Sequence, residues 1–210
     1  MDTIAHWERV YAAKKPDEVS WYRPHLEISL RLIASAARHR DARIIDVGGG
    51  ESTLADDLVT RGYRDVTVLD VSGTALDVAR ERLGDRAARV RWIRGDVTTY
   101  PVEANAYDVW HDRAVFHFLT APRERARYVR QVLRSVRRGG HVIVATFGPD
   151  GPTTCSGLEV ARYDAASLHG EFGAPFELVD HVTEAHRTPW GTIQQFLYCY
   201  CHVRGSRRRR

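Results

Sequence analysis

The stretch Ala42-Arg-Ile-Ile-Asp-Val-Gly-Gly-Gly-Glu-Ser-Thr-Leu54 decides the fold. A short apolar strand, Ala42 to Val47, runs straight into three glycines. Ser52 then stands where it can cap a helix carrying Leu54, Leu58 and Val59 on one face. Strand, glycine turn and helix in that order open an α/β unit. The same alternation continues outward. Val66 to Asp70 reads as a second strand, and Ser72 opens a helix through Leu83. Val90 to Ile93 is a third strand and Tyr107 to His111 a fourth. A helix from Glu124 to Val136 stops at Arg137-Arg-Gly-Gly140, and His141 to Phe147 is a fifth strand. Such alternation predicts right-handed crossovers and a parallel sheet covered on both faces.

Beyond residue 150 the character changes. A long loop, Gly148 to Arg162, precedes a short helix near Ala165 to Gly170. Two strand-like runs follow, Phe176 to Thr183 and Thr192 to Val203. Their link, Glu184 to Gly191, is too short for a crossover helix, so they should pair antiparallel. Upstream lie an amphipathic segment, Ile4 to Ala13, and a helix from about Glu27 to Arg38. The expectation is a three-layer α/β domain at residues 41–203 with a helical cap at 1–40 and a basic, disordered tail at 204–210.

Composition narrows the partners. At 210 residues and 43% apolar content the chain suits one globular domain. No run reaches the roughly 18 apolar residues a membrane span needs, and the N-terminus has no secretory signature. A cytoplasmic location is therefore expected, with no membrane partner. The formal charge is +4, and Arg207 to Arg210 supply all of it, leaving a neutral body that argues against nucleic acid. Cys199 and Cys201 lie two apart in an apolar run, on one strand face as core residues, and no metal site is expected.

The glycine turn lets a ligand approach the backbone closely, and a helix N-terminus favours an anionic group. Asp70 closes the second strand about 20 residues on, where an acid accepts hydrogen bonds from ribose hydroxyls. Asp96 closes the third strand, placed to accept from an adenine amino group. One such acid is an ordinary cap or turn residue. Three acids at successive strand ends beside a glycine loop mark the crevice where these folds bind ligands.

With these residues in order, the chain resembles the class I S-adenosylmethionine-dependent methyltransferases. The match runs through Asp46-Val-Gly-Gly-Gly50, Val68-Leu-Asp-Val-Ser72, Gly95-Asp-Val97, Tyr107-Asp-Val-Trp110 and Arg138-Gly-Gly-His-Val142. The resemblance implies a Rossmann-like, seven-stranded, mostly parallel sheet with an antiparallel C-terminal strand. It implies S-adenosyl-L-methionine as cofactor and S-adenosyl-L-homocysteine as product. Gly48, Gly49 and Gly50 would bed the methionine part, Asp46 its amino group, Asp70 the ribose, and Asp96 with Val97 the adenine. Ser52 replaces the last glycine of the family pattern, and Val71, Ser72, Gly95, His111 and Asp112 complete the expected cofactor wall. Trp7-Glu-Arg-Val-Tyr11 and Glu18 to Arg23 resemble the N-terminal cap of the thiopurine, tellurite and elongation-factor lysine groups. That puts Trp21 and Tyr22 over the cofactor and Arg23 on its carboxylate.

Trp110-His-Asp-Arg-Ala-Val-Phe-His-Phe-Leu119 begins where this superfamily faces the acceptor. Asp112, Arg113 and His117 are the catalytic candidates, since histidine exchanges protons near neutrality and a nearby acid fixes its tautomer. The alternative is a structural ion pair and a helix cap. No Asn/Asp-Pro-Pro-Tyr/Phe signature follows, which points to in-line transfer onto an already good nucleophile. Gly151 to Leu158, with Arg162 and Tyr163, is the second substrate patch. His186 to Gly191 is expected on the same rim, and Cys155 reads as a small loop residue. A small-molecule acceptor is expected, with a protein lysine as alternative and the chain a monomer or homodimer. A nicotinamide oxidoreductase is disfavoured by the missing GxGxxG; a silent cofactor-binding module would need no catalytic groups.

Overall fold

The computed structural model describes residues 3–205. The glycine turn sits where the sequence puts it, between β1 (Arg43–Val47) and α3 (Leu54–Thr60), after α1 (Thr3–Ala13) and α2 (Glu27–Ala36). There follow β2 (Asp65–Asp70), α4 (Gly73–Leu83), β3 (Val90–Arg94), β4 (Tyr107–Arg113), α5 (Pro122–Ser135) and β5 (Val136–Phe147). A two-strand hairpin, β6 (Thr154–Cys155) and β7 (Leu158–Glu159), precedes α6 (Ala165–Phe172), β8 (Phe176–Arg187) and β9 (Ile193–Val203). The seven-stranded sheet runs β3-β2-β1-β4-β5-β9-β8, and only β9 opposes the rest.

Alternation at period two builds both cores. Ile44, Val66, Val68, Val109 and Ile143 face Leu30 and Ile33 of α2, Leu58 of α3 and Leu76 of α4. Ile45, Leu69, Trp110, Val142 and Val144 face Tyr128 and Val132 of α5 and Leu168 and Phe172 of α6. Five parallel strands plus an antiparallel closure is the expected Rossmann-like sheet. Cys199 and Cys201 share a buried face of β9 as expected, their free thiols hydrogen-bonded to each other at 3.5 Å.

Four local expectations change. Arg137-Arg138-Gly139-Gly140 continues β5 instead of stopping the helix, because Asn105 and Ala106 N–H groups take the last carbonyls of α5. Arg137 there pairs with Asp108. Thr53, not Ser52, precedes α3, and the Ser52 hydroxyl accepts from Leu54 N–H at 3.1 Å. The loop after β5 folds into the β6–β7 hairpin, and β8 extends through Arg187, leaving a tight turn at Thr188–Thr192. Within the expected cap, α2 packs into the core while the residues before it border the site. Arg207 to Arg210 of the expected tail lie outside the described residues. No described helix is long and apolar enough to cross a membrane.

Candidate active site

The glycine loop is shaped by close approach. Gly48 has φ +64°, and a Cβ there would collide with the Val115 side chain. Gly50 has φ +48°, and a Cβ would sit 2.7 Å from the Tyr11 hydroxyl and 3.3 Å from Asp70 Oδ2. Both positions therefore require glycine on two grounds. From α4, Arg82 clamps the far end of the loop. Its guanidinium donates to the Glu51 and Ser52 carbonyls, each at 2.7 Å, and to Asp56 at 2.8 Å.

The acids at the strand ends face a cavity of about 570 Å³. Burial raises the Asp70 carboxyl to about 7, although the Ser72 and Gly50 N–H groups donate to it. Asp46, opposite His111 in the β1–β4 register, meets Nδ1 of that ring at 2.7 Å; Nε2 meets the Ser29 hydroxyl at 2.9 Å. Asp96 Oδ1 accepts from the N–H and hydroxyl of Thr98 at 2.7 and 2.8 Å. Glu51 was not legible as a site residue. Both its oxygens are buried at the cavity edge without a hydrogen-bond partner among the described residues, and burial lifts its carboxyl to about 7.

Trp21, Tyr22, Arg23, Asp46, Gly48, Gly49, Ser52, Asp70, Val71, Gly95, Asp96, Val97, His111 and Arg113 all border this cavity. Gly50, Ser72, Asp112 and His117 do not. Gly50 lies behind Tyr11, and Ser72 is buried as the cap of α4, accepting from Ala75 N–H.

Asp112 and His117, expected at the acceptor, are fully buried and do not border the cavity. Asp112 turns into the core below β4. It accepts from Val115 N–H at 2.9 Å, Phe116 N–H at 3.1 Å and the Tyr128 hydroxyl at 2.6 Å. It thereby pins a turn in which Ala114 adopts φ +74°. His117 lies between Phe118 and Phe147, with Nδ1 accepting from Phe147 N–H at 3.3 Å. Burial, with the Arg113 charge second, pushes its pKa down to about 3. Arg113 reaches the cavity wall, where Nε donates to the Tyr198 hydroxyl (2.9 Å) and Nη1 to the Trp21 carbonyl (3.0 Å). Nη2 lies 3.5 Å from His186 Nδ1 and 3.6 Å from Glu184. A buried guanidinium held by these partners positions the wall.

The roof comes from three distant segments. Trp7, Tyr11, Trp21 and Phe118 pack edge to face or tilted, with centroids 5.0–6.3 Å apart. Glu8 fixes α1 across the N-terminus of α4, accepting from Gly73 N–H (2.8 Å), Thr74 N–H (3.2 Å) and the Ser72 hydroxyl (3.0 Å), beside Arg94. Burial raises that carboxyl, but the bonds from Thr74, Gly73 and Ser72 win and hold it at about 2. Arg23 is tied to Glu184 at 2.8 Å, a partner on β8 with no local sequence signal. His186 is not on the rim as expected; it is buried and meets the Ser20 carbonyl at 2.6 Å, while Trp190 points outward, 59% exposed. Cys155 and Leu158 of the hairpin close the remaining side.

Residues 44–140 match the model of a methyltransferase domain family. A malonyl-[acyl-carrier protein] O-methyltransferase of Paenibacillus sp. is 27% identical over 120 residues, 55% of this chain and 42% of that protein. An eEF1A lysine and N-terminal methyltransferase homolog of Drosophila melanogaster is 26% identical over 66% of this chain and 21% of its own length. The chain thus spans less than half of either relative. The solved structure of the N-methyltransferase NodS from Bradyrhizobium japonicum with S-adenosyl-L-homocysteine superposes with a TM-score of 0.74. That likeness covers 96% of this chain and 99% of that one at 16% identity.

Proposed function

We propose, for a chain that belongs to the class I S-adenosylmethionine-dependent methyltransferases, in-line methyl transfer to a small-molecule nucleophile: a thiol, amine or oxygen. One observation supports the small acceptor above others. The cavity is partly covered by α1, the loop before α2 and the β6–β7 hairpin, a setting that favours an acceptor of small-molecule size.

The residues present fit the cofactor. Gly48 and Gly49 bring bare backbone to the cavity, and Asp70 and Asp96 border it at successive strand ends, where ribose and adenine donors would meet them. When bound, the cofactor supplies an electrophilic methyl on a sulfonium. The protein's own contribution is orientation and exclusion of water. Asp112 and His117, sealed in the core, do not take the acceptor's proton, and His111, the imidazole of that segment at the cavity wall, is held at both ring nitrogens by Asp46 and Ser29. The acceptor loses its proton through its own low pKa, and proximity supplies most of the acceleration. The alternative, a protein lysine, rests on similarity to the elongation-factor enzymes.

The test has two parts. Calorimetry should show S-adenosylhomocysteine binding that Asp70→Ala weakens about ten- to a hundred-fold, the loss of a charge-assisted pair of bonds. Labelled methyl transfer should then appear on small thiols, amines, phenols or carboxylates. Label confined to lysate protein would overturn the small-acceptor reading, and absence of cofactor binding would overturn the whole.

A further inference from the structure

Helix α5 carries a row of arginines that nothing in the fold uses. Arg123, Arg127, Arg130 and Arg134 are spaced i, i+4, i+7 and i+11, which at about 100° per residue places all four within roughly 60° of arc. They are exposed, and the buried positions Tyr128, Val132 and Ser135 lie opposite. The row is about 16 Å long at 1.5 Å per residue. Among the described residues none of the four makes an ion pair or side-chain hydrogen bond. Arg125 on the same helix, by contrast, pairs with Glu171 at 2.8 Å. Several arginines elsewhere face carboxylates, among them Arg23, Arg43, Arg64, Arg82 and Arg94. Like charges at these spacings repel along a helix, so the fold gains nothing from the row.

Two features point to what covers it. Arg127, Arg130 and Arg134 line a shallow groove of about 530 Å³ with Thr98, Gln131 and Leu133, and Leu133 is 41% exposed. An apolar anchor flanked by guanidiniums matches the anatomy of a protein interface. The groove offers no aromatic ring, so it lacks the stacking platform that single-stranded nucleic acid uses. Thr98 borders both this groove and the cofactor cavity, and Glu124, next to Arg123, borders the cavity. A partner on α5 therefore sits beside the active site.

We propose that α5 is a docking surface for an acidic protein partner. That partner presents carboxylates at matching i, i+4, i+7 spacing on an amphipathic helix, with an apolar side chain against Leu133. Such pairing is bidentate at each arginine and specific in register.

The test uses the full chain and defined probes. One is a 16-residue alanine-based helical peptide with glutamates at i, i+4, i+7 and i+11 and one adjacent leucine. Its control has the same composition, with the glutamates spread around the helix. Fluorescence anisotropy should give at least tenfold tighter binding of the patterned peptide. Arg127→Glu/Arg130→Glu should weaken it at least tenfold, whereas Arg31→Glu/Arg61→Glu, on other surfaces, should leave it within about twofold. The milder Arg127→Ala/Arg130→Ala pair checks that lost binding is not lost folding, read from unchanged melting and unchanged S-adenosylhomocysteine affinity. Equal binding of both peptides, no binding of either, or tighter binding of a 20-nucleotide RNA or a duplex DNA would overturn the proposal.

Discussion

Asp112→Asn separates a buried structural carboxylate from a catalytic one. Burial raises the Asp112 carboxyl from 3.8 to about 7, more than the bonds from Tyr128 and Val115 can pull down. In the unfolded chain the group ionises at its ordinary value. Its contribution to stability is therefore complete below pH 3.8 and lost as pH rises through about 7. From pH 5 upward the wild type loses at most about 1.4 kcal/mol per pH unit from this group, about 2 kcal/mol by pH 7 and approaching about 3 kcal/mol by pH 8. Asparagine keeps an acceptor for the Val115 and Phe116 N–H groups and carries no charge to bury. The variant should be the less stable protein at pH 5 and recover about 3 kcal/mol relative to wild type by pH 8. For a chain of this length that is about 6–12 °C in relative melting temperature. Thermal unfolding by circular dichroism at both pH values, without ligand, measures it. A gap between variant and wild type that stays constant from pH 5 to pH 8 would refute the reasoning. So would loss of methyl transfer with the gap behaving otherwise.

His117, held near 3 by burial, stays neutral throughout the physiological range. His117→Ala should therefore leave the shape of the pH–rate profile between 6 and 8 unchanged, while melting falls by several degrees from the vacated core. Loss of a limb near neutrality would restore a proton-transfer role. Glu8→Gln removes the charge that fixes α1 to the N-terminus of α4, an interaction of about 1 kcal/mol in a partly buried setting. Faster tryptic cleavage at Arg9 and Lys14 and S-adenosylhomocysteine binding about threefold to tenfold weaker should follow. Unchanged cleavage and affinity would mean that the aromatic cluster alone holds the helix.

Where structure rests on local pattern, the sequence was legible. The strand before Gly48, the acids at Asp46, Asp70 and Asp96, and the shared face of Cys199 and Cys201 follow from period two and from turn chemistry. The antiparallel closure followed from a link too short to cross the sheet. What failed shares one cause. Asp112 and His117 look like chemistry because ionisable residues cluster there, but their burial depends on Tyr128 and Phe147, which lie 16 and 30 residues onward. Arg137-Arg138-Gly139-Gly140 reads as a helix stop until Asn105 and Ala106 supply donors from another segment. The arginine row of α5 was visible all along at helical spacing. A formally neutral body concealed it, because net charge is blind to where charges sit.

The roof of the cavity imposes an order on how the chain assembles. Arg23 meets Glu184 across 161 residues, His186 meets the Ser20 carbonyl across 166, and Arg113 ties the Trp21 carbonyl to β9 through Tyr198. These fastenings join segments of the polypeptide made more than 160 residues apart. At about 5–20 residues per second, the opening segment waits on the order of 8–30 s for its partners to be made. Through that interval β1 to β5 can pair by contacts close in sequence, whereas the N-terminal aromatics have nowhere settled to go. A nascent chain therefore has its glycine cradle before it has its lid.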